Sequence, residues 1–205
     1  MESLSDKLKA LGVKMGIDGL PEGKRIKKKV RSIQELLPEG KIITTPLGES
    51  FALEEMYLSQ QLHGKYPIYD NADYGALLQL LSVEADFDLE RCVFMDTETT
   101  GLAGGAGTLA FMVGLGFYRD NNFWLYQGFL RDPSDEPGML AYIEELLAGI
   151  DTVVTYNGKS FDVPLMHTRC VLNGFEKFFE GMQHIDLLHL ARKVWKHRLP
   201  SRTLG

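Results

Sequence analysis

Two acidic side chains, Asp96 and Glu98, directly follow the apolar run at residues 92–95, in the stretch FMDTETTGLAGGAG. Because residues i and i+2 of a strand point to the same face, the two carboxylates would project together from the end of a buried strand. Carboxylates a few ångströms apart repel, so each would have to take up a proton or share a cation. Oxygen ligands favour hard ions such as Mg²⁺ or Mn²⁺. The pair therefore indicates a divalent metal site, with a turn that leaves Glu98 solvated as the structural alternative.

A second polar cluster follows a later apolar strand, in the stretch TYNGKSFDVPL. Asn157 comes directly after the apolar residues of that strand, and Asp162 lies at the expected start of a helix. Where two strands are parallel neighbours, their carboxyl ends meet at one edge of the sheet. Asp162 would then approach Asp96 and Glu98. Three acids at the ends of adjacent elements favour a metal site over a structural coincidence.

The elements that would position these residues follow from the hydrophobic pattern. Residues 91–130 contain three apolar segments separated by short polar stretches, which predicts an antiparallel three-stranded meander. Apolar residues at helical spacing predict helices farther along the chain. The predicted elements are strands at 91–96, 108–118, 123–130 and 151–158, a turn at 119–122, and helices at 136–150, 161–174 and 184–198, the last with Asp186 as N-cap.

This order of elements predicts an α/β fold. Three antiparallel strands would be extended by parallel strands into one mixed sheet flanked by helices, an arrangement that resembles the ribonuclease-H-like fold. We expect residues 91–205 to form this domain. Residues 1–90 are interpreted as an N-terminal appendage, with a basic arm, a strand–turn–strand at 41–57 and a short helix in DYGALLQLLS capped by Asp73.

Two motifs carry a family resemblance. The stretch D-T-E-T-T-G-L, which begins at Asp96, resembles the first motif of the DEDD (DnaQ-like) 3′–5′ exonucleases. The pattern Y-N-G-x-x-F-D-x-P, which contains Asp162, is similar to their second motif. Together with HIDLLHLARKVWKHRLPSRTLG, these motifs resemble the YprB-type RNase H-like domain family. The resemblance covers roughly residues 90–205.

The resemblance implies phosphodiester hydrolysis with two divalent cations, Mg²⁺ or Mn²⁺, on single-stranded DNA or RNA. Asp96 would bind both ions, Glu98 would bind one and orient the water, and Asp162 would hold the second. The backbone of residues 99–102 would support the terminal nucleotide, and Asn157 would contact nucleic acid or support Asp162. The substrate-binding residues implied are Thr99, Thr100, Gly101, Leu102 and Asn157.

The sequence departs from the family pattern in one respect. DEDD enzymes need a fourth acid, preceded by a Tyr or His that acts as general base, and nothing after Asp162 has that pattern. The chain is therefore interpreted as ending before its third motif, with weak or absent activity in this fragment. Asp186 is the nearest alternative ligand, although its position resembles a helix N-cap in the family.

The composition is that of an ordinary globular protein, with 44% hydrophobic and 24% charged residues among 205. The formal net charge is −6, so no overall basic character indicates nucleic-acid binding. The charge is uneven: residues 1–35 carry nine Lys and Arg against five Asp and Glu, which leaves 13 basic and 23 acidic residues elsewhere. The segment KRIKKKVR is either a solvated tail or an arm that contacts phosphates.

Cysteine usage and hydropathy bear on location. Cys92 and Cys170 lie in apolar surroundings, which predicts buried free thiols in a reducing compartment rather than a disulfide. No run of about eighteen apolar residues is present, so we expect no membrane span. The first residues do not resemble a signal peptide. The sequence predicts a cytoplasmic protein and leaves its oligomeric state open.

Three functions compete. The first is a metal-dependent 3′–5′ exonuclease, and the choice between DNA and RNA and between exonucleolytic and endonucleolytic cleavage stays open. The second is a non-catalytic nucleic-acid-binding or scaffold module on a degraded nuclease fold, favoured by the absence of a fourth acid. The third is a HAD-type phosphatase, disfavoured because that chemistry uses Asp rather than Glu98 as the second acid.

Overall fold

The computed structural model describes residues 31–69, 74–81, 87–101, 107–196, 198 and 201. The described residues from Ile33 onward belong to one compact unit. Three features of the sequence lie outside the described residues. They are most of the basic arm, the expected cap Asp73, and Leu102 with the glycine-rich segment that follows it.

The described residues form nine strands and five α-helices. The strands are β1 Lys41–Thr45, β2 Gly48–Tyr57, β3 Leu62–His63, β4 Tyr66–Pro67, β5 Cys92–Thr99, β6 Ala110–Arg119, β7 Asn122–Phe129, β8 Thr152–Thr155 and β9 Gln183–Asp186. The helices are α1 Ile33–Leu36, α2 Gly75–Leu81, α3 Glu136–Leu146, α4 Asp162–Leu172 and α5 Leu187–Val194. None of these helices is long and apolar enough to cross a membrane.

Seven of the strands form one mixed sheet in the order β1-β2-β7-β6-β5-β8-β9. Strands β5, β6 and β7 are the antiparallel meander that the sequence predicts. Its β6–β7 turn places Asp120 and Asn121 at φ 51° and 58°, a left-handed conformation that Asp and Asn tolerate. Strand β8 pairs parallel with β5, and β9 pairs parallel with β8. The predicted α/β mixed sheet flanked by helices is confirmed.

The structure corrects the prediction for residues 184–198. Residues Gln183–Asp186 form strand β9 rather than the first turn of a helix, because Ile185 is buried and the segment pairs with β8. The helix begins at Leu187. Asp186 is its N-cap, as the sequence predicts, and accepts a hydrogen bond from Leu188 N–H.

The N-terminal region contributes to the same sheet. Strand β2 pairs antiparallel with β7 along seven residue pairs, from Phe51↔Phe129 to Tyr57↔Phe123, and β1 pairs with β2. Phe51 and Ala52 are fully buried. Two strands that precede the boundary predicted at residue 90 therefore belong to the same sheet as the strands that follow it.

The main core lies on one face of the sheet, where helices α3 and α4 pack. Gly138 of α3 lies so close to the β1–β2 turn that an added Cβ would be 2.8 Å from the carbonyl carbon and oxygen of Gly48. Glu136 on α3 accepts hydrogen bonds from Arg169 on α4 and from Asn173, the C-cap of that helix. The fully buried side chains of this core include Leu115, Tyr126, Met139, Leu140, Ile143, Met166, Val93, Val113 and Val153.

Candidate functional site

Strand β5 changes from buried to exposed as it reaches the candidate site. Cys92, Val93 and Met95 are buried, whereas Asp96 and Glu98 are exposed on one face of the strand. A register shift between Glu98 and Thr99 interrupts the pairing with β6. Irregularities of this kind change the direction of nearby side chains and recur beside active sites. The two acids therefore stand at the end of the central strand, as the spacing predicts.

The third acid lies at the N-terminus of helix α4. Asp162 is the first residue of that helix and is 8% exposed. Its Oδ1 accepts hydrogen bonds from two groups of Thr97, the backbone N–H at 3.1 Å and the hydroxyl at 2.6 Å. These two bonds hold the start of α4 against the strand segment that lies between Asp96 and Glu98.

The charges of the three acids interact. Burial raises the pKa of Asp96, the negative charges of Asp162 and Glu98 raise it further, and the Thr97 backbone N–H partly opposes the shift. A raised carboxyl pKa means that the ionised form is disfavoured where it stands. The charges of Glu98 and Asp162 thus add to the effect of burial on Asp96.

The donor chemistry of this group is suited to a hard divalent cation. All three side chains supply carboxylate oxygens, and both hydrogen bonds from Thr97 fall on one oxygen of Asp162. A bound Mg²⁺ or Mn²⁺ would offset both the burial and the neighbouring negative charges that raise the pKa of Asp96. Within the described residues, however, no three His, Cys, Asp or Glu side chains are already arranged around a common point as metal ligands.

Space for a ligand is present beside Asp96. A groove of about 440 Å³ lies on the same face of the sheet, and Asp96, Gln127 and Tyr156 contribute to its lining. Gly114 and Gly116 of β6 are directly opposite Asp96 and Phe94 in the ladder. Since glycine has no side chain, this part of the sheet face stays open next to the acid.

The segment after the strand closes the β5–β6 connection at its base. Thr100 N–H donates to the Leu109 carbonyl at 3.0 Å, and Leu109 N–H donates to the Thr100 hydroxyl at 3.1 Å. The Thr99 hydroxyl donates to the Gly101 carbonyl at 3.2 Å. The structure thus places Thr99, Thr100 and Gly101 directly beyond Glu98, while Leu102 lies outside the described residues.

Comparison with known proteins identifies the family. Residues 93–205, more than half of the chain, match the RNase H superfamily. The chain belongs to the RNase H superfamily. It is also 40% identical over 123 residues to the uncharacterized protein YprB of Bacillus subtilis (strain 168), a match that covers 58% of this chain and 29% of that relative. The chain therefore spans less than a third of the length of the relative that it matches.

Membership of the RNase H superfamily indicates a general class of chemistry. Members are typically nucleases, which hydrolyse nucleic acids and generally use divalent metal ions. In this chain the acids Asp96, Glu98 and Asp162 all lie within the part that matches the superfamily. The superfamily does not by itself specify how many ions bind, which nucleic acid is cut, or from which end.

Asp186 binds backbone N–H groups of helix α5 and of the loop after β8. Its Oδ1 accepts hydrogen bonds from Asn157 N–H at 2.8 Å and Leu188 N–H at 3.0 Å, and its Oδ2 accepts one from Lys159 N–H at 3.1 Å. Burial raises the pKa of Asp186, but the three backbone donors and His189 outweigh burial and hold it below its usual value. The structure thus gives Asp186 the contacts of a helix N-cap and of a loop anchor, and its alternative assignment as a metal ligand stays a prediction.

Sequence reasoning missed the role of Thr97. Strand alternation puts Thr97 on the face opposite to Asp96 and Glu98, so its type and spacing give no signal. Its contact with Asp162 depends on where helix α4 begins in space. The only sequence signal is a hydroxyl side chain between two acids, and that pattern is too common to predict a hydrogen bond to a residue 65 positions away.

Proposed function

We propose that this chain carries the catalytic acids of a metal-dependent nuclease that removes nucleotides from single-stranded DNA or RNA in the 3′ to 5′ direction. The observation that supports the proposal most strongly is geometric: Asp96 and Glu98 are exposed together at the end of β5, and Asp162 is hydrogen-bonded to Thr97, the residue between them. The family to which the chain belongs gives this cluster a chemical context. The choice of single strands and the 3′ to 5′ direction are not given by the acids or by the family, and they are part of the proposal.

Each acid has a distinct task in this proposal. Asp96, on which the charges of both other acids act, would contribute to both of two bound cations, whereas Glu98 and Asp162 would each contribute to one. Two such cations, when bound, activate the attacking water and stabilise the charge that develops on the phosphate. Thr97 keeps Asp162 in position, so that the third carboxylate approaches from the helix side.

The substrate would reach the acids along the open face of the sheet. The groove beside Asp96 offers room for a nucleotide, and the backbone at Thr99, Thr100 and Gly101 borders the exposed end of β5. Leu102 and Asn157 are proposed to contact the terminal nucleotide as well. Affinity would come from phosphate contacts and base stacking, which do not depend on base identity.

A non-catalytic nucleic-acid-binding module is the second candidate. It is favoured by the finding that no three potential ligands of the described residues are already arranged around a metal position. A module of this kind would keep the fold and bind single strands without cleaving them. The two candidates differ in a measurable property, the metal-dependent release of nucleotides.

A nuclease assay separates the two candidates. A 5′-labelled single strand is incubated with the full natural protein and with this chain, with Mg²⁺, with Mn²⁺ and with chelator. We expect a ladder of products shortened from the 3′ end, lost in Asp96→Asn and retained in Asp120→Asn, which makes the same charge change in the β6–β7 turn. Binding without cleavage would favour the non-catalytic module. Internal cuts without a ladder would contradict the exonuclease.

Thermal melting with Mn²⁺ tests the metal site independently of catalysis. A ligand that binds only the folded state stabilises it by mass action, by about 2.7 kcal/mol at a hundred times its dissociation constant. We expect the melting temperature of the wild type and of Asp120→Asn to rise with Mn²⁺. Asp96→Asn should show no rise, and an equal rise in that variant would refute the assignment.

A further inference from the structure

The loop that leads to Asp162 is hydrogen-bonded to one buried carboxylate, that of Asp186, which lies on a different element. Residues 156–161 connect β8 to helix α4, and Asp186 at the end of β9 accepts the backbone N–H groups of Asn157 and Lys159 from this loop. Asp186 is 3% exposed. Because it also caps helix α5 through Leu188 N–H, it joins β9, α5 and the loop at one point.

The backbone of this loop has two positions, Asn157 and Gly158, that few types of residue can occupy. Asn157 is at φ 67°, a left-handed conformation that few residues with a side chain adopt and that Asn tolerates. Gly158 has no room for a side chain, since an added Cβ would be 2.5 Å from side-chain atoms of Thr155. Surrounding contacts fix such a conformation in the folded chain. Asp186 supplies two of these contacts.

Further hydrogen bonds connect this loop with the first turn of helix α4, which contains Asp162. The carbonyl of Gly158 accepts Phe161 N–H at 3.3 Å and Val163 N–H at 3.0 Å, so the loop folds directly into the first turn of α4. Asp162 lies between these two donors in the chain. From there its Oδ1 reaches Thr97 on β5. Hydrogen bonds, joined by short stretches of backbone, thus connect Asp186 with the strand that carries Asp96.

We propose that Asp186 is a positioning residue, which fixes the loop 156–161 and thereby sets the place of Asp162 relative to Asp96 and Glu98. The inference rests on the proposed function, since it gives Asp162 a task for which its position matters. Asp186 itself contacts neither metal nor substrate. Its effect is exerted through the backbone of Asn157 and Lys159.

A carboxylate is required at this position because it has two acceptor oxygens for the three N–H groups that surround it. Three N–H donors approach its two oxygens, whereas an Asn side chain has one oxygen and an NH₂ group that faces a donor. Asp186→Asn would therefore leave at least one backbone N–H of the loop without its acceptor. Asp186→Ser would retain a helix N-cap for α5, since Ser is a good N-cap, but it is too short to span both loop donors.

The experiment compares Asp186→Asn, Asp186→Ser and the control Glu136→Gln in the full natural protein. Glu136 is also 3% exposed and also accepts several hydrogen bonds, so its substitution reproduces the loss of a buried carboxylate away from the loop. Three quantities are measured on the folded variants. They are amide hydrogen exchange at Asn157 and Lys159, the Mn²⁺ dissociation constant by electron paramagnetic resonance, and kcat and KM for a single strand.

We expect both Asp186 variants to exchange the two amides at least tenfold faster and to bind Mn²⁺ about tenfold more weakly, the range found for residues that orient metal ligands. The value of kcat should fall about tenfold, and KM should change less than twofold. Glu136→Gln should keep the Mn²⁺ affinity and kcat of the wild type even if its melting temperature falls. Asp186→Ser separates the loop from the cap if Asp186→Asn does not fold.

Two results would overturn the inference. One is a folded Asp186 variant with Mn²⁺ affinity and kcat within twofold of the wild type, and the other is an equal loss in Glu136→Gln. A wild type that binds no Mn²⁺ and cleaves nothing would instead refute the proposed function. In that case, unchanged amide exchange at Asn157 and Lys159 in the Asp186 variants would separately show that Asp186 does not fix the loop.

Discussion

Thr97 illustrates how one side chain can connect two elements of the site. It lies between the two acids of β5, and its hydroxyl and N–H both reach Oδ1 of Asp162. A hydrogen bond to an ionised group contributes more than one between neutral groups, about 1.5–3 kcal/mol. The hydroxyl therefore has a measurable effect on where the third carboxylate lies.

Replacement of Thr97 by Val tests this effect. Val preserves the branched shape and the β propensity, so the strand should remain intact, while one of the two bonds to Asp162 is lost. We expect nuclease activity and Mn²⁺ affinity to fall about tenfold. Thr168→Val is the control, since the Thr168 hydroxyl donates only to the Pro164 carbonyl of its own helix. Equal activity in Thr97→Val and the wild type would contradict the proposed bridge.

The two cysteines provide a test that is independent of the site. Cys92 and Cys170 are buried and free, and burial raises the pKa of each thiol to about 12. Because the thiolate is the reactive form, we expect negligible modification by iodoacetamide at pH 8 in the native protein. Both should react in 6 M guanidinium, as measured by intact mass. Rapid native labelling of either thiol would contradict the described packing.

At the scale of residues, the sequence predicted the positions of the acids better than their supports. The spacing of Asp96 and Glu98 fixes their common face, because strand alternation is a local property. The approach of Asp162 follows from the parallel pairing of β5 and β8. Thr97 and the loop contacts of Asp186 could not be predicted, because each joins segments far apart in the chain.

At the scale of elements, strand β9 shows where periodicity fails. The segment QHIDLLHLAR has apolar residues that fit a helix throughout, yet its first four residues pair with β8. A four-residue strand is too short to show its own alternation, and tertiary pairing decides its conformation. Asp186 marks the change from strand to helix, which is why the N-cap prediction was confirmed although the helix start was wrong.

The acidic cap at this junction makes stability depend on pH. The folded chain holds the pKa of Asp186 below its usual value, so the native state binds fewer protons than the unfolded chain as the carboxyl titrates. The stabilisation is therefore present above the unfolded value of about 4 and is lost as the pH falls through the lower folded value. The sign is that of a carboxylate that prefers to stay ionised.

Asp186→Asn should consequently be destabilising at neutral pH and progressively less so in acid. We expect the difference in urea midpoint between wild type and variant to be largest above pH about 5 and to shrink below pH about 4. The measurement is a series of urea titrations from pH 3 to 7. Asp120→Asn, in an exposed turn, is the charge-matched control. A difference that grows toward low pH would contradict this role of Asp186.

At the scale of the whole molecule, the sheet is larger than the part that carries the sequence motifs. Strand β2 adds to the edge of β7 and β1 adds to β2, and the buried Ala52 of β2 belongs to the core on which helix α3 packs. The pattern predicted these two strands correctly but gave no sign of their partner. Pairing across some seventy residues leaves no local trace, which is why the boundary at residue 90 looked reasonable from sequence alone.

Truncation tests how far the N-terminal strands are needed. A chain that starts at residue 87 would expose the edge of β7 and lose Phe51, a large side chain whose burial contributes about 1.5–3 kcal/mol by itself. We expect this chain to aggregate or to unfold without cooperativity, whereas a chain that starts at residue 31 should melt cooperatively. Circular dichroism and size-exclusion chromatography measure both. If the chain of residues 87–205 is monomeric and melts cooperatively, the result would support the predicted domain boundary at residue 90.

The distances along the chain between paired strands also bear on the order of folding. The β6–β7 ladder closes a two-residue turn at Asp120 and Asn121, whereas β2 must find β7 across an intervening segment of more than sixty residues. Local pairs form faster because less loop entropy opposes them. Substitutions in the turn should therefore slow refolding, while substitutions in β2 should chiefly accelerate unfolding.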